Sequence, residues 1–276
     1  MPAFLRQNAW AQGTTSLDGL GLPEIKITMT DAGFTVTPKE TTAGWTLVTF
    51  TNSSSEEDDA ADIVLIPSGM TADDINNSLA TPTPSAPSWA FQTTFAGGPF
   101  AGKGKTTQDV VNLTAGDWYI FSGGEPQFAA DTLTVTAGAS ASPVAGALTA
   151  DVEVSLQEYT FLGLEKPVPA GSHLWKVTNT GKQPHLMIIT ALPSGITTEQ
   201  LQASMTAMMT GTPTAGAVDI GNAPFAGGCA TISVGTSLYL PLDLAAGTYG
   251  ALCFFPDEET GAPHALMGMA VAFTVA

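Results

Sequence analysis

The side chains able to hold a metal or carry a redox step are few. Three histidines, His173, His185 and His264, and two cysteines, Cys229 and Cys253, are the whole inventory of the 276-residue chain. No Cys-x-x-Cys-His occurs, which excludes covalently attached haem. No Cys-x-x-Cys occurs either, which excludes a thioredoxin-type pair and a four-cysteine zinc or iron–sulfur site. Any metal centre is built from this one small set, with nothing left over for a second. Two cysteines 24 positions apart are also a natural disulfide in an oxidising compartment, so Cys253 is either available as a thiolate or locked to Cys229. A Ser-His-Asp arrangement finds no support, because no Gly-x-Ser-x-Gly elbow is present.

The composition around these residues narrows the class. The chain holds 25 Asp or Glu against 8 Lys or Arg, a net charge of −17, and only 12% of residues are charged, about half the usual density of ~25%. So acidic a surface repels phosphate, which excludes nucleic acid and basic docking to anionic lipid. A hydrophobic fraction of 44%, 29 Gly and 19 Pro, with abundant Thr, Ala and Ser, read as a β-rich exported protein. No apolar run approaches the ~20 residues of a membrane helix, so no transmembrane segment is expected. Residues 1–23 are read as an N-terminal tail, either a partner-binding extension or a signal-peptide remnant, since Ala9-Trp10-Ala11 before Gln12 has the look of a cleavage region. The expected location is periplasmic or extracellular.

The elements that position these residues come as a duplication. GWTLVTFTN (44–52) matches GSHLWKVTN (171–179), IPSGMTADDI (66–75) matches LPSGITTEQL (192–201), PFAGKGK (99–105) matches PFAGGCA (224–230), and LTAGDWYIF (113–121) matches LAAGTYGAL (244–252). Four blocks in one order give two copies, residues 24–137 and 150–276, joined by a small-residue linker at 138–149. Within each copy short apolar segments alternate with turns, the pattern of a Greek-key sandwich or barrel. One short helix per copy is expected, opened by Thr71 in the first and by the capping box Thr197-Thr198-Glu199-Gln200 in the second.

In the second copy His185 opens a strand directly after the turn TGKQP, and Cys253 closes the strand TYGAL before the loop FFPDEETGAPHALMGM. This order resembles the cupredoxin, or blue copper, family, and the resemblance spans both repeats. It implies an all-β fold of two tandem cupredoxin-like domains and one mononuclear, type 1-like copper held by His185, Cys253, His264 and Met269. A thiolate and two imidazoles with a weak thioether suit both oxidation states of copper, so little rearranges on electron transfer. His264 is the implied electron port. The chain departs from the family's pattern in three places: ten residues separate Cys253 from His264, Leu186 follows the first histidine, and Ala251 stands where an aromatic is common. The turn Asp257–Gly261 is expected to shape the long loop. In the first copy Asp59 and Ser122 take the places of His185 and Cys253, and SGGEPQFAAD (122–131) has no His or Met, so that copy is expected to be a scaffold.

Electron transfer with a redox protein or a membrane-bound electron-transfer complex is the leading expectation. No catalytic residue is assigned and the chain is read as not an enzyme, because the second copper centres of oxidases and nitrite reductases need His-x-His pairs that are missing. One alternative is a metal-free accessory subunit of a respiratory or photosynthetic complex. Another is copper storage or delivery, to which the methionines at 187, 205, 208, 209, 267 and 269 point. His173 is read as a surface residue. Ser53–Asp62, SSSEEDDAAD, is read as a solvated loop or an acidic patch steering a basic partner.

Overall fold

The computed structural model describes residues 17–80, 86–122, 129–138, 148–221 and 223–276. The first 16 residues, most of the linker and most of the first copy's counterpart of the ligand loop lie outside these. The first copy contains β1 (Glu24–Thr30), β2 (Gly33–Thr37), β3 (Glu40–Thr42), β4 (Gly44–Asn52), β5 (Asp58–Ala60), β6 (Asp62–Leu65), helix α1 (Ala72–Leu79), β7 (Phe95–Gly97), β8 (Phe100–Gly102), β9 (Thr106–Leu113), β10 (Gly116–Phe121) and β11 (Asp131–Thr136). The second contains β12 (Val152–Gln157), β13 (Thr160–Leu162), β14 (Gly171–Asn179), β15 (His185–Leu192), helix α2 (Thr198–Thr210), β16 (Phe225–Ile232), β17 (Ser237–Leu244), β18 (Gly247–Leu252) and β19 (Ala270–Val275). Both helices open on the expected capping boxes, at Thr71 and Thr197, and Gly211 ends α2 in the left-handed conformation.

Period-two patterning drives the strands. In β1, Ile25, Ile27 and Met29 are buried while Lys26 faces solvent, and β12 repeats this with Val152, Val154 and Leu156. Apart from a two-stranded ribbon of β5 and β8, the strands form two facing sheets that run without a break through both copies. One has the order β13-β12-β14-β17-β9-β4-β1-β2 and the other β19-β18-β15-β16-β7-β6-β10-β11-β3. A single hydrophobic core lies between them and draws on both copies, from Ile25 and Trp118 to Trp175 and Phe273.

The copies join where β17 pairs with β9 (Leu238↔Val111, Tyr239↔Val110) and β16 meets β7 (Ile232↔Ala96). Each strand meets its own counterpart in antiparallel register, the pattern produced by a two-fold rotation between similar units. Outside the sheets, α2 buries Leu201 and Met205 against Ile188, Leu252 and Ala270. Leu17 and Leu148, from the segments preceding each copy, cover the opposite face with Leu47, Val110, Leu174 and Tyr239.

The structure moves one of the repeat equivalences. Ile189 pairs with Gly227 in the second copy as Ile63 pairs with Gly97 in the first, so Phe95–Gly98 matches Phe225–Gly228 and the sequence match to Pro99–Lys105 is out of step. The backbone explains why these glycines recur. Gly98 and Gly228 have φ of 152° and 137°, and a Cβ on either would lie 1.9 Å from a carbonyl oxygen, that of Ala61 or of Met187.

The acidic loop also differs from expectation. Only Glu57 and the serines Ser53 and Ser55 are exposed, while Asp59 and Asp62 are buried. Ser122 Oγ donates to Asp59 Oδ1 at 2.5 Å, and Asp62 Oδ1 accepts the amide of Thr231 from the other copy at 3.0 Å. The charge that looked partner-facing is partly consumed in internal hydrogen bonds.

Candidate metal centre

Antiparallel pairing of β15 with β18 (Ile188↔Leu252) brings the start of one strand beside the end of the other, so His185 and Cys253 become neighbours although 68 positions separate them. The chain then loops back. His264 N donates to Phe255 O, Ala265 N to Cys253 O, Cys253 N to Met269 O and Met269 N to His264 O, at 2.7–3.1 Å. These bonds fold 253–269 onto itself and place His264 at the head of a 3₁₀ turn, His264–Met267, against which α2 packs.

The result is a buried triangle. His185 Nδ1 is 2.9 Å from His264 Nδ1, and Cys253 Sγ is 3.8 Å from the former and 3.5 Å from the latter. His185, Cys253 and His264 form the one such cluster among the described residues, with ligand atoms within 4.8 Å of one another. Metal–nitrogen and metal–sulfur bonds of about 2.1 and 2.3 Å span edges of this size, so the donor set fits a soft or borderline ion. Met269 is fully buried in the core that also holds Cys253 and Phe255. His173 stands apart on β14, in the other sheet, beside Asp151. Cys229 and Cys253 are both free, buried thiols, so the disulfide alternative is not the arrangement found.

Burial sets the protonation of the metal-free cluster. It pushes the Cys253 thiol up to about 12, against the amides of Leu186 and Phe255, which favour the thiolate; Leu186 N lies 3.4 Å from the sulfur. It also lowers His264 to about 4, helped by the neighbouring His185, and lowers His185 against the pull of Glu158. Both rings are therefore neutral. Glu158 Oε1 lies 3.2 Å from His185 Nε2, and an ionised carboxylate only accepts, so His185 carries its proton on Nε2 and turns a bare Nδ1 into the triangle. His264 Nδ1–H donates to that nitrogen, leaving His264 Nε2 buried without a partner. A metal held by these residues would require the thiol and the His264 Nδ1 to give up their protons.

Four residues that the ligand motif does not reveal complete the site. Tyr159 lies edge-on to His264 with ring centroids 5.2 Å apart. Its hydroxyl donates to Asp257 Oδ2 at 2.8 Å, and Gln183 Nε2 donates to the same oxygen at 2.9 Å. Asp257 Oδ1 accepts from Thr260 N and Oγ1, and these bonds hold its carboxyl far below the usual range. One carboxylate thus ties together the ligand loop, the β12–β13 turn and the turn before His185, and it closes the turn Asp257–Gly261 that shapes the long loop. A consequence corrects the sequence reading: His264 is 0% exposed, covered by Tyr159 and Phe255, and is not an open port.

The first histidine on a strand, the cysteine and second histidine on the loop between the last two strands, and two facing sheets per copy decide the architecture. The chain has the cupredoxin fold, in tandem. No family model and no curated protein matches it. Among solved structures, auracyanin B is similar over 47% of this chain and 91% of its own, with 20% identity and a TM-score of 0.31. A copper nitrite reductase from Nitrosomonas europaea is similar over 92% and 93%, with 12% identity and a TM-score of 0.25. A multicopper oxidase is similar over 92% and 88%, with 11% identity and a TM-score of 0.25. The last two are enzymes, which corrects the expectation that this chain is not one: the tandem cupredoxin fold does not set it apart from catalysts. No helix among the described residues is long and apolar enough to cross a membrane.

Proposed function

We propose that the second copy is the metal-binding half of an exported cupredoxin-type protein. It holds one mononuclear copper through His185 Nδ1, Cys253 Sγ and His264 Nδ1, with Met269 as the weak fourth donor, and exchanges single electrons with a redox protein or a membrane-bound electron-transfer complex. The observation that carries this reading is the convergence of two imidazole nitrogens and a thiol, all fully buried, on one point from segments far apart in sequence. Bound copper supplies a one-electron couple. The chain supplies a dry pocket, two neutral rings with fixed orientation and two amides facing the sulfur. With His264 covered, electrons leave across Tyr159, whose partly exposed ring lies over it.

Reconstitution with Cu(II) tests the assignment. One equivalent should bind, with an intense thiolate-to-copper absorption that disappears in Cys253→Ser. A protein that stays colourless and takes up no copper overturns it.

A further inference from the structure

The carboxylate at the back of His185 has a counterpart in the first copy that does only half of its work. Glu158 Oε1 accepts the amides of Lys182 and Gln183, the latter at 2.9 Å, as well as His185 Nε2–H at 3.2 Å. By the repeat offset Asp31 stands in its place, and Asp31 Oδ1 accepts the amide of Ser55, the counterpart of Lys182, at 2.7 Å. The turn geometry is shared down to the asparagine that closes it: Asn52 Nδ2 donates to Glu56 O and Ala101 O, and Asn179 Nδ2 to Gln183 O and Ile232 O. Clasping the first turn amide is therefore a structural duty common to both copies, and an aspartate suffices for it; the second, Glu56 N, goes to Ser54 Oγ in the first copy. The extra methylene of Glu158 extends the same carboxylate to an imidazole that only the second copy has. Room for this contact depends on Gly181, where a Cβ would lie 2.7 Å from Glu158 Oε1 and 2.9 Å from His185 Nε2.

Resting on the reading of the triangle as a copper site, we infer that Glu158 is a positioning residue that fixes His185 in its Nε2–H form, aims the bare Nδ1 at the metal and strengthens that nitrogen as a donor. A carboxylate behind a ligating histidine orients the ring and raises its basicity. A stronger donor favours Cu(II) over Cu(I), so the contact lowers the reduction potential.

Two variants separate this role from turn clasping. Glu158→Asp keeps the bond to Lys182 N in the manner of Asp31 and withdraws from the ring. Glu158→Gln keeps an acceptor oxygen in place and removes its charge. Nitrogen-15 NMR of the metal-free protein should show His185 as the Nε2–H form in the wild type and as a mixture in Glu158→Asp. Copper affinity should fall about 10–100-fold in Glu158→Asp and less in Glu158→Gln, both with a positive shift in potential and an unchanged circular dichroism spectrum. Wild-type affinity and potential in Glu158→Asp, or an Nδ1–H form in the wild type, overturns the inference. If the wild type binds no copper, the copper reading fails, while the NMR result still decides what Glu158 does to His185.

Discussion

His185 Nδ1 and His264 Nδ1 lie 2.9 Å apart across 79 positions of sequence, with Cys253 Sγ as the third corner. Two neutral rings this close share one proton, and the site is closed by that hydrogen bond before any metal arrives. A ligand that binds only the folded arrangement stabilises it by mass action, about 4 kcal/mol at a thousand times its dissociation constant. Copper should therefore raise the thermal midpoint of the wild type by several degrees, and a chelator should reverse the gain. Cys253→Ser should show a much smaller rise; an equal rise would place the metal elsewhere.

Asp257 holds three segments at once, through Tyr159, Gln183 and Thr260. Asp257→Ala removes a charged acceptor from all of them and should cost about 3 kcal/mol, given 1.5–3 kcal/mol for each hydrogen bond to a charged group and partial replacement by water. It should also loosen the cover over His264, so that a chelator strips copper faster than in the wild type. Unchanged stripping kinetics would mean that Tyr159 does not guard the site.

Asp62 gives the fold a pH dependence of known sign. Burial pushes its carboxyl up to about 6, opposed by the amide of Thr231, whereas an unfolded aspartate sits near 3.9. The folded state thus binds this proton more tightly. The penalty is absent below about pH 4 and complete above about pH 6, so stability falls as pH rises through that window. Asp62→Asn keeps the acceptor for Thr231 and abolishes the loss. It should be more stable than the wild type at pH 8 by on the order of 2–3 kcal/mol and about equal to it at pH 4. A difference that is the same at both values would show that Asp62 does not titrate on unfolding.

Shared sheets and one core predict a single cooperative unfolding transition by calorimetry, with calorimetric and van't Hoff enthalpies equal. Gly98→Ala tests the junction directly. Its Cβ would meet Ala61 O at 1.9 Å, and Gly98 O accepts the amide of Ala230 from the other copy at 2.9 Å. The variant should lose about 3 kcal/mol or more and shift the whole transition downward. Two transitions, with only one of them moved, would mean that the copies unfold independently.

What the sequence discloses and what it hides divides along physical lines. The repeat, both capping boxes and the order His185, Cys253, His264 are local or periodic signals, readable without coordinates. Glu158 is invisible to such reading because its partner is 27 positions away and its role depends on a turn geometry that Asp31 shares. The burial of His264 depends on Tyr159 arriving from β12–β13, more than a hundred positions upstream. Aspartates in a hydrophilic run read as solvated, yet Asp59 and Asp62 lie in a continuously buried stretch once β5 and β6 form. The doubled FAGG motif with a nearby PFAG let the sequence match slip, and only strand register resolved it.

The pairing of β9 with β17 and of β7 with β16 gives the ligand-free copy a duty of its own. Without it, β16 and β17 would each become an outermost strand with a bare row of N–H and C=O groups, and β16 is buried along its whole length. Exposed apolar edges of this kind recruit other chains. Pairing with the first copy takes up part of both edges, at Leu238 and Tyr239 of β17 and at Ile232 of β16, which gives a copy without His or Cys a structural reason to stay attached.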